Sequence, residues 1–182
     1  MRKLFTLVAL FAVLTLNAAE IGTWKAYPVY RNVTWIEDAG NLLYVLASNN
    51  LYAYNTNDGS ITTYSKMNML SDGLVSQIAY SKSAHCLIIV YQNGNNDLLN
   101  DGDNVMNISD YYSKNLTYDK TIYDIFIDGV YAYLSTGFGI MKVNLRNAEI
   151  TETYTLGFKV NWCYTEGGRI YAMSETDGQY SA

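Results

Sequence analysis

The single histidine, His85, stands directly before Cys86, and Cys163 is the only other cysteine. A cysteine beside an imidazole has the residue types of a thiolate nucleophile and its base. In an extended strand, however, successive side chains point to opposite faces, so the two groups cannot meet along AHCLIIVY (84–91). His85 therefore reads as a strand start and Cys86 as a core residue. One histidine and two separated cysteines also make no zinc-type ligand set. The Asn- and Asp-rich stretch QNGNNDLLNDGDN (92–104) has the composition of a calcium loop. Yet Leu99 stands two before Asp101, where an EF-hand loop needs a side-chain oxygen. A pair of hairpin turns accounts for its asparagines and glycines. The acidic pairs Asp101 with Asp103 and Glu149 with Glu152 have the residue types of glycoside chemistry, but carboxylates in loops and at strand ends more commonly serve solvation. No glycine-rich phosphate cradle leads into a helix, and no serine occupies a nucleophile elbow. The sequence designates no catalytic, cofactor-binding or metal-binding residue and calls for no cofactor. Ligand-binding residues stay unassigned, and the expectation is a protein that is not an enzyme.

The elements carrying these residues form a repeat. A β-rich run, a Gly-containing turn and a second run of aromatic and branched residues recur at 35–48, 78–92, 125–136 and 162–174. Aligned on Leu43, Leu87, Val130 and Ile170, the copies are spaced by 44, 43 and 40 residues. Such a period, with several short strands per unit, predicts an all-β protein, a β-propeller of four-stranded antiparallel blades. Helical repeats of similar length are excluded by runs of four to eight residues rich in Tyr, Val, Ile and Thr that break at Asn57-Asp58-Gly59 and Gly167-Gly168. The expected blades span about 33–64, 75–112, 121–155 and an incomplete 160–182, with the last ending after its second strand. Within the first, strands are predicted at 33–38, 42–48, 51–54 and 60–64; within the third, at 121–127, 130–135, 139–143 and 149–155. About three and a half blades leave sheet faces and edges open. The expectation is therefore a piece of a longer protein that, alone, binds ANS or aggregates.

Arg2 and Lys3, the apolar run Leu4–Leu16 and the exit Asn17-Ala18-Ala19 form a signal peptide over 1–19, cleaved after Ala18 or Ala19. The run is too short to be a permanent membrane anchor, and no second run reaches membrane length. Residues 20–182 are then the exported domain, in the periplasm or at the outer cell surface. With 17 acidic and 12 basic residues the chain lacks the positive field that favours nucleic acid. Cys86 and Cys163 fall in different blades and are expected to be free thiols. The 18 tyrosines suit half-buried strands. Tyr111 and Tyr112, in a polar connection, are candidates for a contact surface for sugar or protein. Three sequons, at Asn32, Asn107 and Asn115, are expected to be silent in a bacterium.

The segments IGTWKAYPVY (21–30), NLLYVLASNNLYAYNTNDGSITTY (41–64), NISDYYSKNLT (107–117) and YAYLSTGFGIMKVNLRNAEI (131–150) closely resemble the N-terminal β-propeller of the PorZ family of Bacteroidota. The likeness runs in register from about residue 20 to residue 175. Beneath it, MLSDGLVSQIAYSKSAHCLIIVY (69–91) resembles the two-component-regulator propeller repeat, with Ile89, Val90 and Tyr91 in place of the usual Trp-x-Gly-Thr ending. The resemblance implies a role in type IX secretion. Members of the family carry two propellers and a C-terminal β-sandwich on the cell surface. They work with a sortase, a cargo-shuttling barrel protein and a further partner in joining cargo to anionic lipopolysaccharide. The second propeller and the sandwich lie outside this sequence. The alternative is the periplasmic glycan-sensing propeller of a hybrid two-component regulator; a lyase on a propeller scaffold would need a clustered set of His, Tyr, Arg or acidic residues.

Overall fold

The computed structural model describes residues 28–115, 119–175 and 178–181, so the signal-peptide reading of 1–19 lies outside the described residues. Three four-stranded antiparallel sheets follow one another along the chain. The first holds β1 (Val33–Asp38), β2 (Leu42–Ala47), β3 (Asn50–Asn55) and β4 (Ile61–Tyr64). The second holds β5 (Val75–Ser81), β6 (Cys86–Tyr91), β7 (Asn96–Asn100) and β8 (Val105–Ile108). After a one-turn helix α1 (Asp110–Ser113), the third holds β9 (Ile122–Asp128), β10 (Tyr131–Thr136), β11 (Gly139–Asn144) and β12 (Glu149–Thr155). A fourth sheet contains β13 (Trp162–Glu166), β14 (Arg169–Ser174) and β15 (Gly178–Ser181). Its third strand corrects the expectation that the chain ends after two.

In every sheet each strand pairs with its sequence neighbour, so connections alternate between the two ends of the blade. The first strands β1, β5, β9 and β13 are successive neighbours around an axis, and β4, β8 and β12 lie at the periphery. Three apolar clusters fill the seams between blades. Tyr44, Leu46, Leu87 and Ile89 meet between the first and second blades. Cys86, Ile88, Ala132 and Leu134 meet between the second and third, and Tyr133, Ile140, Cys163 and Ala172 between the third and fourth. Strand β6, CLIIVY, is buried along its whole length because both its faces meet another blade. A strand in that position reads as a continuous apolar run rather than an alternating one, and each of its larger side chains contributes about 1.5–3 kcal/mol of burial.

The hairpin turns set the repeat register. The first pairs across them are Asp38↔Leu43, Ser81↔Cys86, Asp128↔Tyr131 and Glu166↔Arg169. Leu43, Leu87 and Ile170 are each the second residue of their blade's second strand, so those three copies are in phase, whereas Val130 lies in the turn before β10, two residues ahead of its counterpart Ala132. His85 corrects a further expectation: it is a turn residue with φ +54° before β6, not the strand's first residue. The second blade ends at Ile108, and the segment to 112 turns into α1. Among the described residues no helix is long and apolar enough to cross a membrane, which says nothing of membrane β-barrels.

Candidate functional site

The His85 imidazole points outward, with Nδ1 3.1 Å from an Asp101 carboxylate oxygen whose partner oxygen accepts from Tyr80 at 2.9 Å. Cys86, 2 % exposed, sits in the seam with its thiol toward the Leu145 carbonyl. The two are thus a surface pair and a core residue. Cys163 is buried in the next seam, and both cysteines are free. Burial, with help from the Asp101 and Asp124 carboxylates respectively, pushes the Cys86 and Cys163 thiols up to about 11. The thiol, not the reactive thiolate, is the form at neutral pH. Both are expected to resist a thiol-reactive disulfide reagent in the folded protein and to label fully once denaturant is added. Rapid labelling of either without denaturant would show that the seams are open.

The Asn-rich stretch forms β7 between two turns. Its Asp97 is completely buried and accepts from the Tyr91 hydroxyl at 2.5 Å, the Ser71 amide at 2.8 Å and the Asn107 side chain at 2.8 Å. Next to it, Asp72 accepts from the Gly73 amide at 2.9 Å, Lys66 at 3.3 Å and Asn93 at 2.6 Å. The Asn93 hydrogen bond, together with the Gly73 amide and Lys66, holds the Asp72 carboxyl below its usual range against a smaller opposing effect of burial. The Leu70-Ser71-Asp72-Gly73 turn is thus latched onto the second blade by two carboxylates whose acceptor sites are occupied by protein donors. The sequon residue Asn107 is held in the same network by Asn95, Asn96 and Asp97. Among the described residues no group of three or more His, Cys, Asp or Glu could hold a metal. Of the acidic pairs, Asp103 accepts from Tyr64 at 3.2 Å and Glu152 pairs with Lys142 at 3.1 Å.

Sequence reasoning missed a cleft of about 380 Å³ between the third and fourth blades. Strand β11, GIMKVN, carries one cation, Lys142, whose ammonium lies 4.6 Å and 5.9 Å from the ring centres of Tyr131 and Tyr133. Glu152 accepts from it, and the Tyr154 hydroxyl donates to the same carboxylate. The hydrogen bond to Glu152 raises the Lys142 pKa above its ordinary value, so the amine stays charged at neutral pH. Arg169 and the Gly167-Gly168 turn form the opposite wall, where Thr165 donates to Asp128 at 2.6 Å. Tyrosine walls, two cations and hydroxyl groups suit a polar ligand with a flat apolar face, such as a sugar ring. Two signals mark it in the sequence: a lysine interrupting an apolar strand, and Tyr131-x-Tyr133 on one face of β10.

The predicted pair Tyr111 and Tyr112 separates. Tyr111 is buried with its ring centre 6.0 Å from that of Phe138, and only Tyr112 is exposed, beneath Lys120. A larger aromatic surface lies on the fourth blade, where Trp162, Tyr164 and Tyr171 stack at centroid distances of 6.1 and 4.7 Å.

Antiparallel four-stranded sheets set around an axis by their first strands and cemented face to face by apolar seams define a β-propeller domain. The chain belongs to the PorZ N-terminal β-propeller family of the type IX secretion system, whose model matches residues 43–182. The structure of PorZ from Porphyromonas gingivalis, an essential surface component of that system, superimposes with a TM-score of 0.74 at 25 % identity, covering 88 % of this chain and 24 % of that one. The chain thus spans about a quarter of the length of that relative. The extracellular domain of a hybrid two-component system from B. thetaiotaomicron shares the fold at 15 % identity, with a TM-score of 0.64 over 82 % of this chain and 20 % of the other. The computationally designed Ika4 protein shares it at 7 % identity, with a TM-score of 0.62 over 86 % of this chain and 94 % of that one. A search of curated proteins finds no match.

Proposed function

We propose that the chain is a non-catalytic interaction module of a type IX secretion accessory protein, exported by its signal peptide and working at the outer cell surface. There it supports attachment of cargo to anionic lipopolysaccharide alongside a sortase and the other attachment proteins. The observation that carries this reading is the family match over 43–182. The cleft is consistent with it as a surface for the sugar portion of the glycolipid, because tyrosine faces stand there beside the mixed charges of Lys142, Arg169, Asp128 and Glu166. Rigid blades also let loops and clefts vary without disturbing the core.

The test is an in-frame deletion of the domain in the producing bacterium, with cargo followed in cell-surface and medium fractions. The expected result is cargo released into the medium instead of held on the surface. Normal surface attachment would overturn the proposal. The likeness to a two-component extracellular domain favours a second reading, a glycan sensor. In that case the same deletion would leave attachment intact and abolish a transcriptional response to glycan.

A further inference from the structure

Strand β12 forms the periphery of the third blade and, among the described residues, pairs only with β11 on its inner side. Its outer edge therefore presents main-chain N–H and C=O groups along the seven residues EITETYT, against four residues in each of the peripheral strands β4 and β8. Proteins commonly guard a long edge with charged side chains, above all lysine, with proline, with a β-bulge or with a covering element. β12 contains neither lysine nor proline; its guards are two glutamates and a bulge where its pairing shifts between Lys142 and Val143.

Beside β12 stands the end of α1, and between them lies an open cleft of about 520 Å³, lined by Asp110, Ser113 and Lys114 on the helix side and by residues 150–153 on the strand side. The cleft adjoins a smaller hollow of about 170 Å³ walled by Tyr111, Phe138, Met141 and Ile150, and Lys114, Ile150 and Thr153 line both. The hollow has the size and carbon-rich walls to take one apolar side chain. Charge around the edge is mainly acidic, although Glu152 is taken up by Lys142. β12 contributes Glu149 and Glu152, and α1 adds Asp110. Lys114 is the one cation lining the cleft, since Lys142 points into the next seam and is already paired with Glu152.

We propose that β12 is a strand-addition site for an extended segment of a partner polypeptide in which apolar and basic residues alternate. Main-chain hydrogen bonds to the free edge hold the segment. An apolar side chain enters the hollow between Tyr111 and Phe138, and the basic residues of the segment lie beside Glu149, with Asp110 across the cleft. Main-chain pairing supplies affinity and the hollow supplies selectivity, the division of labour usual in strand addition. The hollow lies against Tyr111 and Phe138 while the Lys142 cleft lies against the fourth blade, and the proposal does not depend on the glycan reading.

The test is titration of the full chain with a dye-labelled peptide of alternating lysine and leucine, followed by anisotropy and amide NMR. Saturable binding is expected, with shifts concentrated in β12 and α1. N-methylation of every second peptide nitrogen, on the edge meeting β12, should weaken it at least about tenfold. Thr153→Arg fills the cleft and adds like charge at an exposed position, and should abolish binding while leaving the circular dichroism spectrum unchanged. Equal affinity for the N-methylated peptide or for an alternating glutamate and leucine peptide would overturn the proposal whether or not that variant folds. So would shifts confined to another blade, or self-association of the free chain through β12.

Discussion

Replacing Asp97 by alanine is expected to lower the stability of the domain by about 3–5 kcal/mol, the range for removing one partner from a buried charged network. Asp97 has no solvent exposure, and three donors converge on it: the Tyr91 hydroxyl, the Ser71 amide and the Asn107 amide group. Alanine would leave these donors without an acceptor in a space that holds a carboxylate. Tyr91 itself is almost wholly buried. Its phenol pKa is raised first by burial and then by the hydrogen bond to Asp97, so the hydroxyl remains a donor at neutral pH. Tyr91→Phe removes one donor and keeps the ring, and is expected to cost about 1.5–3 kcal/mol, the value of a hydrogen bond to a charged group. The two losses should not add, because both variants break the same bond. Urea unfolding of the two single variants and the double variant measures all three quantities. Additive losses would show that Tyr91 and Asp97 act independently. An Asp97→Ala midpoint equal to that of the parent would show that the Ser71 turn is not held by this carboxylate. Since a domain of this kind is stable by only about 5–15 kcal/mol, the variant retains little margin.

The location of Asp97 shows which parts of this fold were legible in the sequence. Its stretch was identified as a pair of hairpin turns, and the structure places β7 between two turns with Asp97, Leu98 and Leu99 buried on it. Turn positions were legible because the Gly and Asn residues that mark them need no tertiary context. The burial of β6 was legible because a strand enclosed on both faces has no polar positions to lose. What failed has equally physical causes. His85 adopts a left-handed turn conformation that a non-glycine residue seldom takes, so its type suggested a strand. Tyr111 and Tyr112 looked alike in a polar connection, and only the one-turn helix divides them between seam and surface. The Lys142 cleft needed side chains from β9 to β14, which no local pattern brings together. Repeat alignment found the blades and held three copies in phase, but set the third two residues early, because the apolar turn residue Val130 stood in for the strand position of Ala132.

Gly139→Ala is expected to cost about 3 kcal/mol or more, although it adds a single methyl group. Gly139 opens β11 with φ +150°, a conformation natural only to glycine, and a Cβ built there would lie 1.9 Å from the Tyr154 carbonyl oxygen and 3.0 Å from the Leu156 nitrogen. Both obstacles are backbone, so no rotamer change relieves them. The surrounding turn is also tied down: the Gly139 carbonyl accepts from the Thr136 hydroxyl at 2.9 Å, and the Phe138 carbonyl accepts from the Leu156 and Gly157 amides at 2.9 and 3.1 Å. A methyl group must therefore push the end of β12 away from β11. Gly129→Ala is the control. It also places alanine at positive φ, +59°, but the new Cβ meets nothing within 4 Å, so the cost should stay near about 1–2 kcal/mol of left-handed strain. Equal shifts in the two urea midpoints would mean that conformation alone, not close backbone approach, selects glycine at 139. A larger loss for Gly139→Ala carries a second consequence. Phe138 walls the hollow beside β12, so the variant should also lose the alternating lysine and leucine peptide, while Gly129→Ala, at the far end of the β9–β10 hairpin, should bind it as the parent does.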